Sequence, residues 1–111
     1  MPDNIQVYHN TDYTDHQLVA GSRVRFVHSD KMTLTEWFFE PDVLLPEHAH
    51  PHEQITKIIS GEFDLYIEGT CYHLFTGSAA VIPPNSKHYG KSITACQIVD
   101  VFYPVREDYR I

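Results

Sequence analysis

Glu62-Phe63-Asp64-Leu65-Tyr66-Ile67-Glu68 alternates without a break. Phe63, Leu65 and Ile67 fall on one face and the three acids with Tyr66 on the other, the period-two pattern of a half-buried strand. Gly61 and Gly69 bracket the segment and Gly77 follows eight residues on; glycines at that interval between alternating stretches predict tight hairpins. Working outward, strands are expected at residues 22–28, 32–39, 54–59, 71–75, 79–82 and 94–102. Pro41, Pro46, Pro51 and Pro83-Pro84 mark strand ends, since proline cannot donate to a ladder and restricts the residue before it. Nothing from residue 22 onward carries a helical period. About eight short strands at this spacing predict an all-β domain, a closed antiparallel barrel or a sandwich. Residues 1–20 read as an N-terminal arm or edge strand and residues 21–111 as the barrel.

Composition agrees. The chain has 111 residues, enough for one core and too few for two. β-branched and aromatic residues far outnumber Ala and Leu, which favours strands over helices. A formal charge of −7 repels phosphate backbones and anionic lipid, so neither nucleic acid nor a membrane surface is an expected partner. The first twenty residues lack a basic, then apolar, leader, and no uncharged apolar run is long enough to cross a bilayer, so a soluble, cytoplasmic protein is expected. Cys71 and Cys96 are expected to be free thiols in such a chain.

Chemistry concentrates in Pro46-Glu47-His48-Ala49-His50-Pro51-His52-Glu53-Gln54, which holds three of the eight histidines. On a strand His48 and His50 project to the same face and can reach one ion at the ~2 Å metal–nitrogen distance. Gln54 shares their parity, but a straight strand from 48 to 54 would span roughly 20 Å. The chain must therefore turn, and Pro51 supplies a bend that lets Gln54 return from a neighbouring strand while His52 and Glu53 point elsewhere.

These residues resemble the first motif of the cupin superfamily: Gly, five residues, His-x-His, three or four residues, Glu, six residues, Gly. His48, His50, Gln54 and Gly61 fit it, with Gln in place of Glu and Asp42 in place of the leading Gly. The second motif resembles Gly77, Pro83, Asn85, His88 and Ser92; Asn85 stands where Gly is usual, a residue that still tolerates positive φ, and Ser92 where Asn is usual. The resemblance implies a double-stranded β-helix, a jelly-roll-like β-barrel, with His48, His50, Gln54 and His88 holding one divalent metal ion. Four uncharged ligands would leave its charge uncancelled and favour anionic partners. Mixed N/O ligation suits Ni(II), Zn(II), Fe(II), Mn(II) or Co(II) without choosing among them.

Asp100-Val101-Phe102-Tyr103-Pro104-Val105-Arg106-Glu107-Asp108, together with His48 to Thr56, is similar to a small-cupin subgroup linked to pectin degradation. Its members convert 4,5-unsaturated monouronates into linear keto forms, a metal-dependent isomerase- or lyase-type step. The resemblance implies Arg106 as carboxylate anchor, Phe102 as apolar wall and Asp100 as proton carrier. A blander reading pairs Arg106 with Glu107 or Asp108 at the surface and makes Asp100 a strand end. A metal-dependent dioxygenase and a non-catalytic sugar- or anion-binding protein stay open as alternatives. Small cupins commonly pair through an exposed strand, which implies a homodimer.

Overall fold

The structure, a computed structural model, describes residues 5–111; Met1 to Asn4, the start of the expected arm, lie outside the described residues. Nine strands follow: β1 (Ser22–His28), β2 (Thr33–Phe39), β3 (Leu44–His48), β4 (Glu53–Ser60), β5 (Glu62–Ile67), β6 (Thr70–Phe75), β7 (Ala79–Ile82), β8 (His88–Ser92) and β9 (Cys96–Tyr103). They form two antiparallel sheets, β1-β2-β9-β4-β7 and β3-β8-β5-β6, of a double-stranded β-helix. Among the described residues the only helical turns are 3-10 turns at Asn10–Asp12 and Glu107–Tyr109, and no helix is long and apolar enough to cross a membrane. Ahead of β1, the chain makes one isolated bridge, His16 to Val24.

Alternation in the sequence becomes burial in the barrel. In β9 every second residue, Cys96, Ile98, Asp100 and Phe102, points inward, and β2 does the same with Thr33, Thr35, Trp37 and Phe39. Trp37 and Phe39 stack at 5.2 Å inside, while Phe38 points outward beneath the Arg23 guanidinium at 3.8 Å. Register then builds layers across the larger sheet: Thr33, Phe102 and Gln54 in one row, Thr35, Asp100 and Thr56 in the next, Trp37, Ile98 and Ile58 below. The lowest row belongs to the apolar core with Phe63 and Leu65 of the facing sheet.

Of the three expected hairpins, only Gly69 closes one, between β5 and β6, with Glu68 and Gly69 both at positive φ. Gly61 and Gly77 instead sit where the chain crosses between the sheets, since β4 and β7 belong to one sheet and β5 and β6 to the other. Both kinds of turn demand left-handed backbone, so the spacing alone does not separate them. At Gly61 a Cβ would also collide with the Ala95 carbonyl oxygen.

β3 and β8 were not among the predicted strands. β3 is an exposed edge strand with a register shift between Leu45 and His48, which is how it accommodates Pro46 within its length rather than at its end. β8 is short and polar around Gly90. Cys71 is exposed and Cys96 buried, and both are free.

Candidate metal centre

The two strands that periodicity missed carry the site. His48 ends β3, His88 opens β8, and the two are direct cross-strand partners with ring centroids 4.2 Å apart. His50 lies two residues beyond β3, its ring 5.6 Å from His48 and 5.0 Å from His88. The chain bends at Pro51 and His52 and re-enters the other sheet, bringing Gln54 back as the second residue of β4. Asn85, at φ 64°, donates its backbone N–H to the His50 carbonyl at 2.8 Å and so ties the loop before His88 to the loop carrying His50. One ligand atom from each of His48, His50 and His88 lies within 4.8 Å of the others, little more than the ~4.2 Å that two donors at ~2.1 Å span across an ion.

Local hydrogen bonds set the tautomers. The Nδ1–H of His48 donates to the Pro46 carbonyl at 2.9 Å, that of His50 to the His52 carbonyl at 3.1 Å, and that of His88 to the Ser86 carbonyl at 2.9 Å. A carbonyl only accepts, so each proton sits on Nδ1 and each Nε2 keeps its lone pair for a ligand, the usual outer-shell arrangement of metal-binding histidines. His88 Nε2 is buried with no partner. His50 Nε2 lies 3.1 Å from Gln54 Oε1, two acceptors facing each other with no proton between them. That separation is about what adjacent donors on one ion at ~2.1 Å would have. Burial and the neighbouring Arg106 charge pull His50 down to about 4, and burial lowers His88 as well, so both imidazoles are in the neutral, ligating form at neutral pH. An orphaned nitrogen and two opposed lone pairs fit a bound cation.

A cavity of about 220 Å³ opens beside this cluster, lined by His48, Gln54 and His88, then Thr56 and Asp100, and deeper by Trp37, Phe39, Phe63 and Ile98. Gly90 lets the barrel close around it, because a Cβ there would overlap the Phe63 ring. Asp100 lies mid-strand in β9, not at a strand end, with Oδ1 accepting from Thr56 at 2.7 Å and Oδ2 from Thr35 at 3.5 Å. Burial pushes its carboxyl up to about 6.

Phe102 is buried beside His50, its ring edge-on at 5.6 Å. Arg106 is buried rather than superficial: its guanidinium packs against the rings of Phe102 (4.7 Å) and Tyr109 (4.0 Å), its Nε and Nη2 donate to Asp108, and Nη1 is buried without a partner. The pairing with Asp108 is thus present, with the guanidinium buried and the carboxylate at the surface. Thr35, Thr56 and Tyr109 are the site residues that motif reading missed. Thr56 shares the parity of Gln54 on β4, a signal that was available; the other two need the register.

Fold and site together define a jelly-roll barrel with a histidine-lined interior. Residues 35–102 match the model of Cupin_2, described as a cupin domain, and the chain belongs to that family. Among solved structures it is similar to KdgF from Halomonas sp., at 22% identity and a TM-score of 0.88 over 95% of this chain and 98% of that one. It is likewise similar to an RmlC-like cupin from Shewanella frigidimarina NCIMB 400, at 22% identity and a TM-score of 0.89 over 98% and 99% of the two chains. The polyketide cyclase RemF from Streptomyces resistomycificus matches at 20% identity with a TM-score of 0.78, over 89% of this chain and 79% of that one. No curated protein matches the chain. At these identities the likenesses establish the fold.

Proposed function

We propose that the chain is a metal-dependent enzyme that converts 4,5-unsaturated monouronates into linear keto forms, with His48, His50, Gln54 and His88 holding a divalent ion. The observation that carries this reading is the convergence of four lone-pair donors, three of them on the wall of a cavity that also presents Asp100 and Phe102. A bound ion supplies Lewis acidity toward a carboxylate or carbonyl oxygen. Uncharged ligands and the Arg106 charge beside His50 make the site attractive to an anion. Arg106 offers the carboxylate its unpartnered Nη1, and Phe102 forms an apolar wall under the ring. Asp100 Oδ1 is engaged by Thr56, so Oδ2, with its long contact to Thr35, is the oxygen that takes and returns a proton during ring opening and the enol-to-ketone step.

The test is loss of ultraviolet absorbance from unsaturated galacturonate and mannuronate, with and without chelator. Folded, metal-loaded protein that leaves both sugars unchanged removes the reading, and undiminished turnover in Asp100→Ala and Arg106→Ala removes those two residues from it. The three-histidine cluster keeps a dioxygenase as the second reading, separated by oxygen uptake during the same screen. Binding of uronate without any turnover would mark a non-catalytic anion-binding cupin.

The same reading places the protein in the cytoplasm as a homodimer. Support for pairing comes from the outer face of the larger sheet, where Leu34, Val101, Ile55 and Val81 stand side by side across four strands, three of them exposed.

A further inference from the structure

Gln54 is the one candidate donor whose side chain could face the ion the wrong way round. Its carboxamide ends in an oxygen that can bind a cation and an NH₂ that cannot. The histidine cluster does not select the oxygen, because His50 Nε2, whose ring proton sits on Nδ1, is an acceptor that would by itself take the NH₂. The choice is made one layer deeper in the barrel, by a chain of buried side chains.

The Asp100 carboxylate can only accept. Thr56 lies 2.7 Å from its Oδ1, so the single hydroxyl proton of Thr56 is committed to Asp100. With that proton spent, Thr56 Oγ1 is an acceptor toward its other neighbour, and the group 2.9 Å away that can donate to it is the NH₂ of Gln54. The amide is thereby turned with Oε1 toward His50 Nε2. Gln54, Thr56 and Asp100 are all buried, which limits competition from solvent for these bonds. Register supplies the alignment: Thr56 is the direct cross-strand partner of Asp100, and Gln54 is the next inward residue on β4.

We propose that Thr56 and Asp100 are positioning residues that orient Gln54 as an oxygen donor to the bound cation. This rests on the metal reading given above. The chain of hydrogen bonds also polarises the amide, so the oxygen facing the ion is more negative than that of a free glutamine. A glutamate ligand would put its charge directly on the ion. Here the donor oxygen and the negative charge are divided between two residues, with the charge held two hydrogen bonds back.

The experiment uses Co(II), read by chelator competition for affinity and by its visible spectrum for the donor set. Thr56→Val keeps the shape and removes the hydroxyl; it should weaken Co(II) binding by about 10- to 100-fold, the usual effect of losing an outer-shell partner, and its spectrum should move to that of Gln54→Ala. Thr56→Ser keeps the hydroxyl and should stay within about threefold of the parent, with the parent's spectrum. A Thr56→Val protein with the parent's affinity and spectrum overturns the positioning role while leaving the metal site intact. A parent chain that takes up no Co(II) overturns the metal reading and this proposal with it. If the Val variant does not fold, Thr56→Ala is read against the same two expectations.

Discussion

Arg106 clasps Asp108, two residues along the chain, through two parallel hydrogen bonds: Nε donates to Oδ1 at 3.0 Å and Nη2 to Oδ2 at 2.7 Å. The Arg106 side chain is 7% exposed and that of Asp108 57%, so the carboxylate is the partner able to swing away. A substrate carboxylate held at Nη1 shares the guanidinium with Asp108, whose negative charge competes for Arg106. Asp108→Asn removes that competition and is expected to lower KM for an unsaturated uronate about threefold with kcat little changed. Steady-state ultraviolet assays decide, and a raised KM would mean that Asp108 holds the guanidinium in place.

Metal ions bound to the native state alone stabilise it by mass action. Adding Co(II), Ni(II) or Zn(II) to chelator-treated protein should raise Tm, and His88→Ala, which deletes the orphaned buried nitrogen, should abolish most of that rise. Differential scanning fluorimetry measures both; equal shifts in parent and variant would take His88 out of the donor set.

Two buried groups pull the pH dependence of metal-free stability in opposite directions. Asp100, raised by burial from 3.8 to about 6, binds its proton more tightly in the folded chain, so its contribution falls as pH rises from about 4 to about 6. His50, lowered by burial and by the Arg106 charge from 6.5 to about 4, binds its proton less tightly when folded, so its contribution grows between about 4 and 6.5. Each amounts to about 3 kcal/mol at most. Asp100→Asn removes the falling limb, and its stability relative to the parent should therefore increase from about pH 4 to about pH 6 and level off above. Urea midpoints at several pH values in the presence of chelator show this, and parallel curves would mean that Asp100 ionises as it does in the unfolded chain.

Gly90 and Phe63 share one space across β8 and β5. Gly90→Ala forces the Phe63 ring out of its place and should cost about 1–3 kcal/mol, as overpacking typically does. Chemical denaturation gives the figure; a variant as stable as the parent would show that the ring has room to give.

On the outer face of the larger sheet, Ile55 sits in the middle of the apolar row and is 47% exposed. Ile55→Glu places a charge at the centre of the proposed contact and should convert the dimer to monomer without altering metal uptake. Light scattering coupled to size exclusion reads the mass, and a monomeric parent would dispose of the dimer altogether.

Much of this architecture was legible because burial enforces a period of two, cleanest in β5, where inward Phe63, Leu65 and Ile67 alternate with Glu62, Asp64 and Tyr66; in β2, β4 and β9, where Leu34, Ile55 and Val101 also face outward, β-branched and aromatic content marked the strands instead. β3 and β8 escaped because an exposed edge and a glycine at the centre erase that contrast. Their histidines were still visible, His48 through its spacing from His50 and His88 through the resemblance of Gly77, Pro83 and His88 to the second cupin motif, neither of which depends on recognising a strand. Asp42 and Asn85 show the same limit from the other side: both occupy left-handed backbone where glycine is usual, and only for Asn85 was that tolerance expected. The link from Asp100 through Thr56 to Gln54 was out of reach, because it exists only once β4 and β9 are aligned residue by residue. Pairing of Arg106 with Asp108 was among the readings, but not the burial of the guanidinium, which lies against the Tyr109 ring.

β9 is the last strand in the chain and yet lies at the centre of its sheet, between β2 and β4. Neither of those neighbours can find its mate until β9 has been made, and the pairings then join residues from 37 positions apart, Ser60 with Gln97, to 69, Thr33 with Phe102. Such long-range closure makes for slow folding. A chain lacking β9 would hold two half-finished ribbons with their greasy sides bare, which gives chaperones a client and marks Cys96–Tyr103 as the latch of the whole assembly.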